Sequence, residues 1–219
     1  SLNHSSNGGT ITLDSDGSSD GAITVVTDTA NSGTLSSATA WDDGITITSG
    51  TAVSDLSSAS LANLNALSVN ASTVTVGATT TGDGGLSLTS TNGNVTLNGD
   101  LATTGETNAG SVTISASSGN TIALGGNISV STDSVSGTDQ AISLGSITDG
   151  ATDPTLTLDA GSQNVTLADV GTSTNAIGAL TITEAGTVNF NGDVETNGID
   201  VQSATSVVMA SGKTCLLYT

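Results

Sequence analysis

Residues 179–198 read Ala-Leu-Thr-Ile-Thr-Glu-Ala-Gly-Thr-Val-Asn-Phe-Asn-Gly-Asp-Val-Glu-Thr-Asn-Gly. Successive side chains of a strand point to opposite faces. Leu180 and Ile182 therefore share one face and Thr181 and Thr183 the other. After a turn at Gly186, Val188 and Phe190 repeat the pattern, and Val194 follows. The stretch offers three short apolar edges separated by turns and cannot bury them alone.

The same pattern recurs with drift at 85–105 (GLSLTSTNGNVTLNGDLATTG), 111–132 (SVTISASSGNTIALGGNISVST) and 155–174 (TLTLDAGSQNVTLADVGTST). Self-similarity at this period marks a repeat architecture. Copies that stack close a continuous core and satisfy one another's backbone groups, which is a parallel β-solenoid. At roughly 20–25 residues per coil and ~4.8 Å rise, the chain is expected to make about nine or ten coils, a rod of roughly 45 Å.

Composition agrees. Val, Ile and Thr favour strands, and Gly, Asn and Asp favour tight turns. The 219 residues contain one each of Trp, Tyr, Phe, Met and Pro, so the core must be aliphatic. Sustained alternation of Val, Ile and Leu argues against disorder, which a Ser/Gly-rich acidic chain otherwise suggests.

With one basic residue against 20 carboxylates, the formal charge is -19. Phosphate neutralisation needs Lys and Arg, so nucleic acid and anionic membrane surfaces are excluded as partners. A chain this acidic suits cations. Cys215 is the only cysteine, so no internal disulfide forms. No apolar run has the length of a membrane helix. The chain begins without Met or a signal peptide, which reads as a mature product or a piece of a longer protein.

Three regions follow. Residues 1–64 are irregular coils holding a candidate Ca²⁺ turn. Residues 65–209 are the repetitive β-helix. Residues 210–219 (ASGKTCLLYT) form a C-terminal tail or packing edge. Within the first region, 54–67 (SDLSSASLANLNAL) also fits a helix capped by Ser54. The spacing of Leu61, Leu64 and Leu67 favours a coil that turns at each apolar position. The segment QAISLGSITDGATDP, 140–154, reads as one coil with a bulging loop.

The strings LSLTSTNGNVTLNGDLATTG and LTLDAGSQNVTLADVGTSTNAIGALTITEAGTVNFNGDVETNG resemble large bacterial surface proteins of the filamentous-haemagglutinin type and the passenger regions of autotransporters. The resemblance covers about residues 65–209. It implies a right-handed parallel β-helix, secreted to the bacterial cell surface, that serves as a stalk or adhesive fibre. It transfers no catalytic residue.

The sharpest chemical feature is Asp14-Ser-Asp16-Gly-Ser-Ser-Asp20. Carboxylates at positions 1, 3 and 7 around a Gly turn can present hard oxygen donors to Ca²⁺. It is not an EF-hand, since position 12 is Val25, and the plain alternative is a solvated acidic turn. Asp149 and Asp153 form a weaker candidate. A nucleophilic triad has no support: His4 and Cys215 stand at opposite ends of the sequence. Trp41, Asp42 and Asp43 are the one cluster suited to sugar hydrolysis, without the basic residues and aromatic platforms that such sites use. Repeated Thr-X-Thr, as at Thr73–Thr75 and Thr181–Thr183, resembles ice-binding faces, although Thr is also the usual outward residue of a strand. Asn-X-Ser/Thr occurs at Asn3, Asn70, Asn94, Asn127 and Asn164. Asn94 and Asn164 occupy equivalent turn positions, which suits stacked Asn side chains better than glycans.

These features favour a non-enzymatic, extracellular β-solenoid that self-associates head-to-tail or continues into a longer chain. Its terminal coils would otherwise leave unpaired edges. The alternatives are a carbohydrate-active β-helix enzyme and a module that binds glycans or ice.

Overall fold

The computed structural model describes residues 10–14, 23–24, 34–35, 44–57, 60–104 and 107–218. Every regular element among them is a strand, and the named strand pairings are all parallel. The chain winds through three faces in a fixed order, and each coil stacks on the one before.

On the first face, Ile45 lies beside Leu67, then Leu86, Val112, Ile142, Val165, Val188 and Val207. On the second, Val74 is followed by Val95, Ile122, Ile147, Val170, Val194 and Cys215. On the third, Leu61 pairs with Thr79 and Thr79 with Leu101. Val130, Leu158, Ile182 and Val201 continue that face. The backbone of Thr10–Asp14 adds a partly described coil beneath Gly44–Thr48.

The solenoid has about seven turns, fewer than the nine or ten expected. Coil length varies: Leu67 to Leu86 spans 19 residues, Leu86 to Val112 spans 26, and Val112 to Ile142 spans 30. The extra residues go into loops between faces and add no height.

Two forces hold the rod. Below the last coil most inward positions are aliphatic and fully covered, as for Ile47, Val95, Leu156 and Val188, with Thr79, Thr81 and Thr196 among the buried exceptions. Among the described residues, Phe190 is the one aromatic side chain in this core. Backbone groups are paired between coils: Val112 N–H donates to Ala141 O (3.1 Å), Ile142 N–H to Asn164 O (3.0 Å) and Ile147 N–H to Asp169 O (2.8 Å). A strand of three residues has too few contacts to persist by itself. Its partners above and below supply what it lacks.

The described residues of 54–67 form no helix. Residues 54–56 and 60–67 belong to the strands Gly44–Leu56 and Ser60–Val76. Leu61, Leu64 and Leu67 are all buried, and the register shifts between Leu61 and Leu64 and again before Ala66. The three-residue spacing thus marks a bending strand at a corner.

The repeat copies hold a less obvious feature. Copies 85–105 and 111–132 put their first strand on the first face, Leu86 beside Val112. Copies 155–174 and 179–198 put theirs on the third face, Leu156 beside Leu180. The slip arises in the segment between them. It holds two strands, Ile142–Leu144 and Ile147–Asp149, which fill the first and second faces only. The third face of that coil is Leu156–Asp159, the opening strand of the next copy.

The slip also corrects the reading of Asn94 and Asn164. They precede strands on different faces and do not stack on each other. Each instead accepts a backbone N–H from the next coil: Thr121 N–H to Asn94 Oδ1 (3.0 Å) and Thr187 N–H to Asn164 Oδ1 (3.1 Å). Asn65, Asn108 and Asn127 do the same for Gly84, Thr138 and Thr155. A side-chain carbonyl at a corner stands in for the strand carbonyl that the turn removes.

Candidate functional site

The sequence-derived sites fare unevenly. Asp14 ends the strand Thr10–Asp14, its backbone beside Thr48. Asp16 and Asp20 lie outside the described residues, as do His4, Trp41, Asp42 and Asp43. Asp149 closes the strand Ile147–Asp149. Asp153 sits in an exposed turn with φ of 47°. Among the described residues, no group of three or more His, Cys, Asp or Glu side chains is arranged to hold a metal ion.

Packing brings together two acidic corners that sequence reasoning missed. At the corner between the third and first faces, Asp139, Asp159 and Glu184 all act on Asp133. Asp139 accepts Ser134 N–H at one oxygen (2.9 Å), and Ser162 N–H and hydroxyl at the other (both 2.8 Å). These donors, the Ser162 amide first, hold its carboxyl below the ordinary value. Asp133 moves the other way, raised first by partial burial and then by the charges of Asp159 and Asp139. The two share a hydrogen bond, so Asp133 is the member that keeps its proton longer. Asp159 and Glu184 are register partners on adjacent coils. Only the stacking register reveals this set, because its members are spread over 52 residues.

The second acidic corner opens the second face. Asp169 Oδ1 accepts Asp193 N–H (2.9 Å), and Asp193 Oδ1 accepts Thr214 N–H (2.8 Å) and its hydroxyl (3.1 Å). The single Lys of the chain, Lys213, places Nζ 3.8 Å from Asp169 and 3.9 Å from Asp193. The Thr214 donors, more than Lys213, hold Asp193 below its ordinary value. Tyr218 donates to Glu195 Oε2 at 2.6 Å, which raises its phenol above the usual range.

The first face is different. Its outward column is Thr46, Ser68, Ser87, Thr113, Ser143 and Thr166, then Asn189. Beside it, above the backbone of Asp14, runs Thr48, Asn70, Thr89 and Ser115. From Thr46 upward none of these ionises. The second face carries Asp55, Asp169, Asp193 and Glu195, and the third carries Asp100, Asp159 and Asp200.

The last coil is open. Val207 stands over Val188 and Met209 over Phe190, yet Val207 is 53% exposed where Val188 is 0%. Leu216 and Leu217 are exposed, and so is the free thiol of Cys215. Among the described residues, strands Ala204–Met209 and Cys215–Leu217 each have a partner on one side only. Comparison with protein-family models, with curated proteins and with solved structures finds no match to this chain.

Proposed function

We propose that the chain is a structural, non-enzymatic segment of an extracellular stalk, fibre or filament on a bacterial surface. Its work is mechanical. The aliphatic core and the inter-coil hydrogen bonds make each coil dependent on the next, which favours a stiff, protease-resistant rod. The bacterial and extracellular parts of the reading rest on the resemblance of residues 65–209 to haemagglutinin-type and autotransporter repeats.

The observation that carries the reading is the open coil at 204–218. It exposes Val207, Met209 and Leu217, and no strand among the described residues lies above them. Unpaired strand edges with apolar side chains template strand addition. Protein therefore covers this end, either further coils of a longer chain or the next copy. A head-to-tail contact between copies does not close and so extends into a fibre.

Light scattering on the chain tests this against a Val207→Lys/Leu217→Lys variant. The wild type is expected to form assemblies that grow with concentration, and the variant to stay smaller. Assembly should also protect Cys215 from a thiol reagent that labels it fully in the variant. A wild type that remains monomeric at high concentration, with Cys215 fully reactive, would refute self-association and leave the longer chain as the cover.

A further inference from the structure

We propose that the peptide bond between Val135 and Ser136 is a processing site for a protease that takes a small aliphatic residue ahead of the bond it cuts, and that the rod stays whole after the cut. The bond is the exception in a rod whose paired strands resist proteases. Neither the open end nor the filament reading enters the argument.

The first observation is exposure. Val135 is 100% exposed, and Ser136, Gly137 and Thr138 are exposed with it. Among the described residues, the other exposed large apolar side chains are Val207, Val208, Met209, Leu216 and Leu217. All five lie in strands paired to the coil below. Val135 and Ser136 lie in no strand, and among the described residues neither makes a backbone–backbone hydrogen bond. A protease binds its substrate as an extended segment with free backbone groups, so this loop qualifies and the strands do not.

The second is how the loop is attached. It leaves and rejoins the coil at one clasp. Gln140 N–H donates to Thr132 O (3.3 Å), and the hydroxyl of the fully buried Thr132 donates to the Gln140 carbonyl. Thr103 and Gly110 close the loop below with the same pair of bonds. Between clasp and tip, the Ser134 hydroxyl donates to the Thr107 carbonyl, Thr138 N–H to Asn108 Oδ1 (3.0 Å) and Ala109 N–H to Thr138 O (3.0 Å). Opening the arch breaks single bonds of this kind and no sheet ladder, so it is a local event of low free energy.

The third is what the cut leaves joined. Strands before the bond pair with strands after it on all three faces: Val112–Ser115 with Ile142–Leu144, Ile122–Leu124 with Ile147–Asp149, and Ile128–Ser131 with Leu156–Asp159. Their inward side chains, Ile114, Leu144, Val130 and Leu158 among them, are buried. Parting the two pieces would unstack a coil on every face, so the stacking that holds the rod also holds the pieces. Hydrolysis itself adds one water. Val135 is left with a carboxylate and Ser136 with an ammonium group, both outside the core.

The fourth is the chemistry of the chain. With Lys213 as its one basic residue beyond His4, and single Phe, Tyr and Trp residues, it offers little to proteases that need a basic or aromatic side chain. An apolar pocket sized for valine is the class that fits this loop.

Limited digestion with pancreatic elastase tests the proposal in the Val207→Lys/Leu217→Lys background, where end-to-end assembly does not shield the chain. Denaturing mass spectrometry should show that the first cut within residues 107–218 leaves Val135 as a new C-terminus and Ser136 as a new N-terminus. Native light scattering should give the summed mass of the two pieces, and circular dichroism the spectrum of the uncut chain. Val135→Asp should slow this cut at least about tenfold, because a carboxylate does not enter an apolar pocket. Circular dichroism and melting confirm that this variant folds. A first cut elsewhere within 107–218, equal rates for Val135 and Val135→Asp, or a cut chain that separates into two masses would each overturn the proposal.

Discussion

Val188 and Val207 occupy the same column of the same face, one coil apart, in strands of similar sequence. One is completely buried and the other half-exposed. Phe190 and Met209 differ in the same way, 4% against 37%. Burial in this molecule is thus a property of position along the axis more than of the local pattern. Each coil is roofed by the one above, and the coil at 204–218 has the pattern without the roof. Stability should therefore be sharply unequal between the middle and the end of one continuous structure.

The largest contrast should come from the core. Leu156 is fully buried on the third face between Ile128 and Leu180. Leu156→Ala is expected to cost about 2–5 kcal/mol by lost transfer energy and residual cavity. Val207→Ala should cost less than about 1 kcal/mol, since little area leaves water there. Urea denaturation of the two variants measures the difference. Similar losses would show that the last coil is covered in solution.

Two glycines sharpen the comparison without touching the core. Gly171 and Gly212 both adopt left-handed backbone, φ 73° and 78°. A Cβ on Gly171 would lie 2.0 Å from the carbonyl oxygen of Glu195 in the coil above, and one on Gly212 would meet nothing within 4 Å. Gly171→Ala should therefore cost about 1–3 kcal/mol or more, backbone strain plus a clash that displaces a neighbouring coil. Gly212→Ala should show only the strain, about 1 kcal/mol. Thermal melts of the pair read this out, and a ranking in the reverse order would contradict the stacking described for Gly171.

The smallest effect concerns pH at the acidic corner. Asp139 has a lowered folded value against 3.8, so its contribution is present above that pH and fades as pH falls through the folded value. Asp133 is raised, so its contribution is present below 3.8 and is lost as pH rises through its folded value. Asp133→Asn should therefore raise Tm at pH 7 and leave it nearly unchanged at pH 3. Asp139→Asn should lower it at pH 7. Solvent screening keeps both changes within about 2 °C.

Much of this was legible from alternation alone. Leu86, Leu88, Val95, Leu97 and Leu101 read as inward positions, and all are buried. The bend at Leu61, Leu64 and Leu67 was only partly legible, because three-residue spacing also fits one face of a helix; the register shifts around Leu64 show it as a bent strand. The phase slip was not legible. Strand–turn–strand looks the same whichever face it lies on, so the copies at 85–105 and 155–174 align in sequence while sitting a third of a coil apart. The acidic corner at Asp133, Asp139, Asp159 and Glu184 was hidden for the same reason: contacts between coils depend on the cumulative length of every loop below. Coil number was overestimated because loops such as 132–141 consume residues without adding height. The tail was read as apolar from Leu216 and Leu217, and the structure places both in the open coil.

The two strands at 142–144 and 147–149 behave as a rotary index. Every unit above them is advanced by two faces relative to the copies below. Were both removed, Leu156–Asp159 would follow directly on the coil of Ile128–Ser131 and take the first face. Asp159 and, one coil later, Glu184 would then enter the outward columns of the first face, uncharged from Thr46 upward, and Thr166 and Asn189 would leave them. Length changes in such a rod are therefore not neutral even when every strand still finds a partner. Only additions or losses in threes keep each surface facing the way it did.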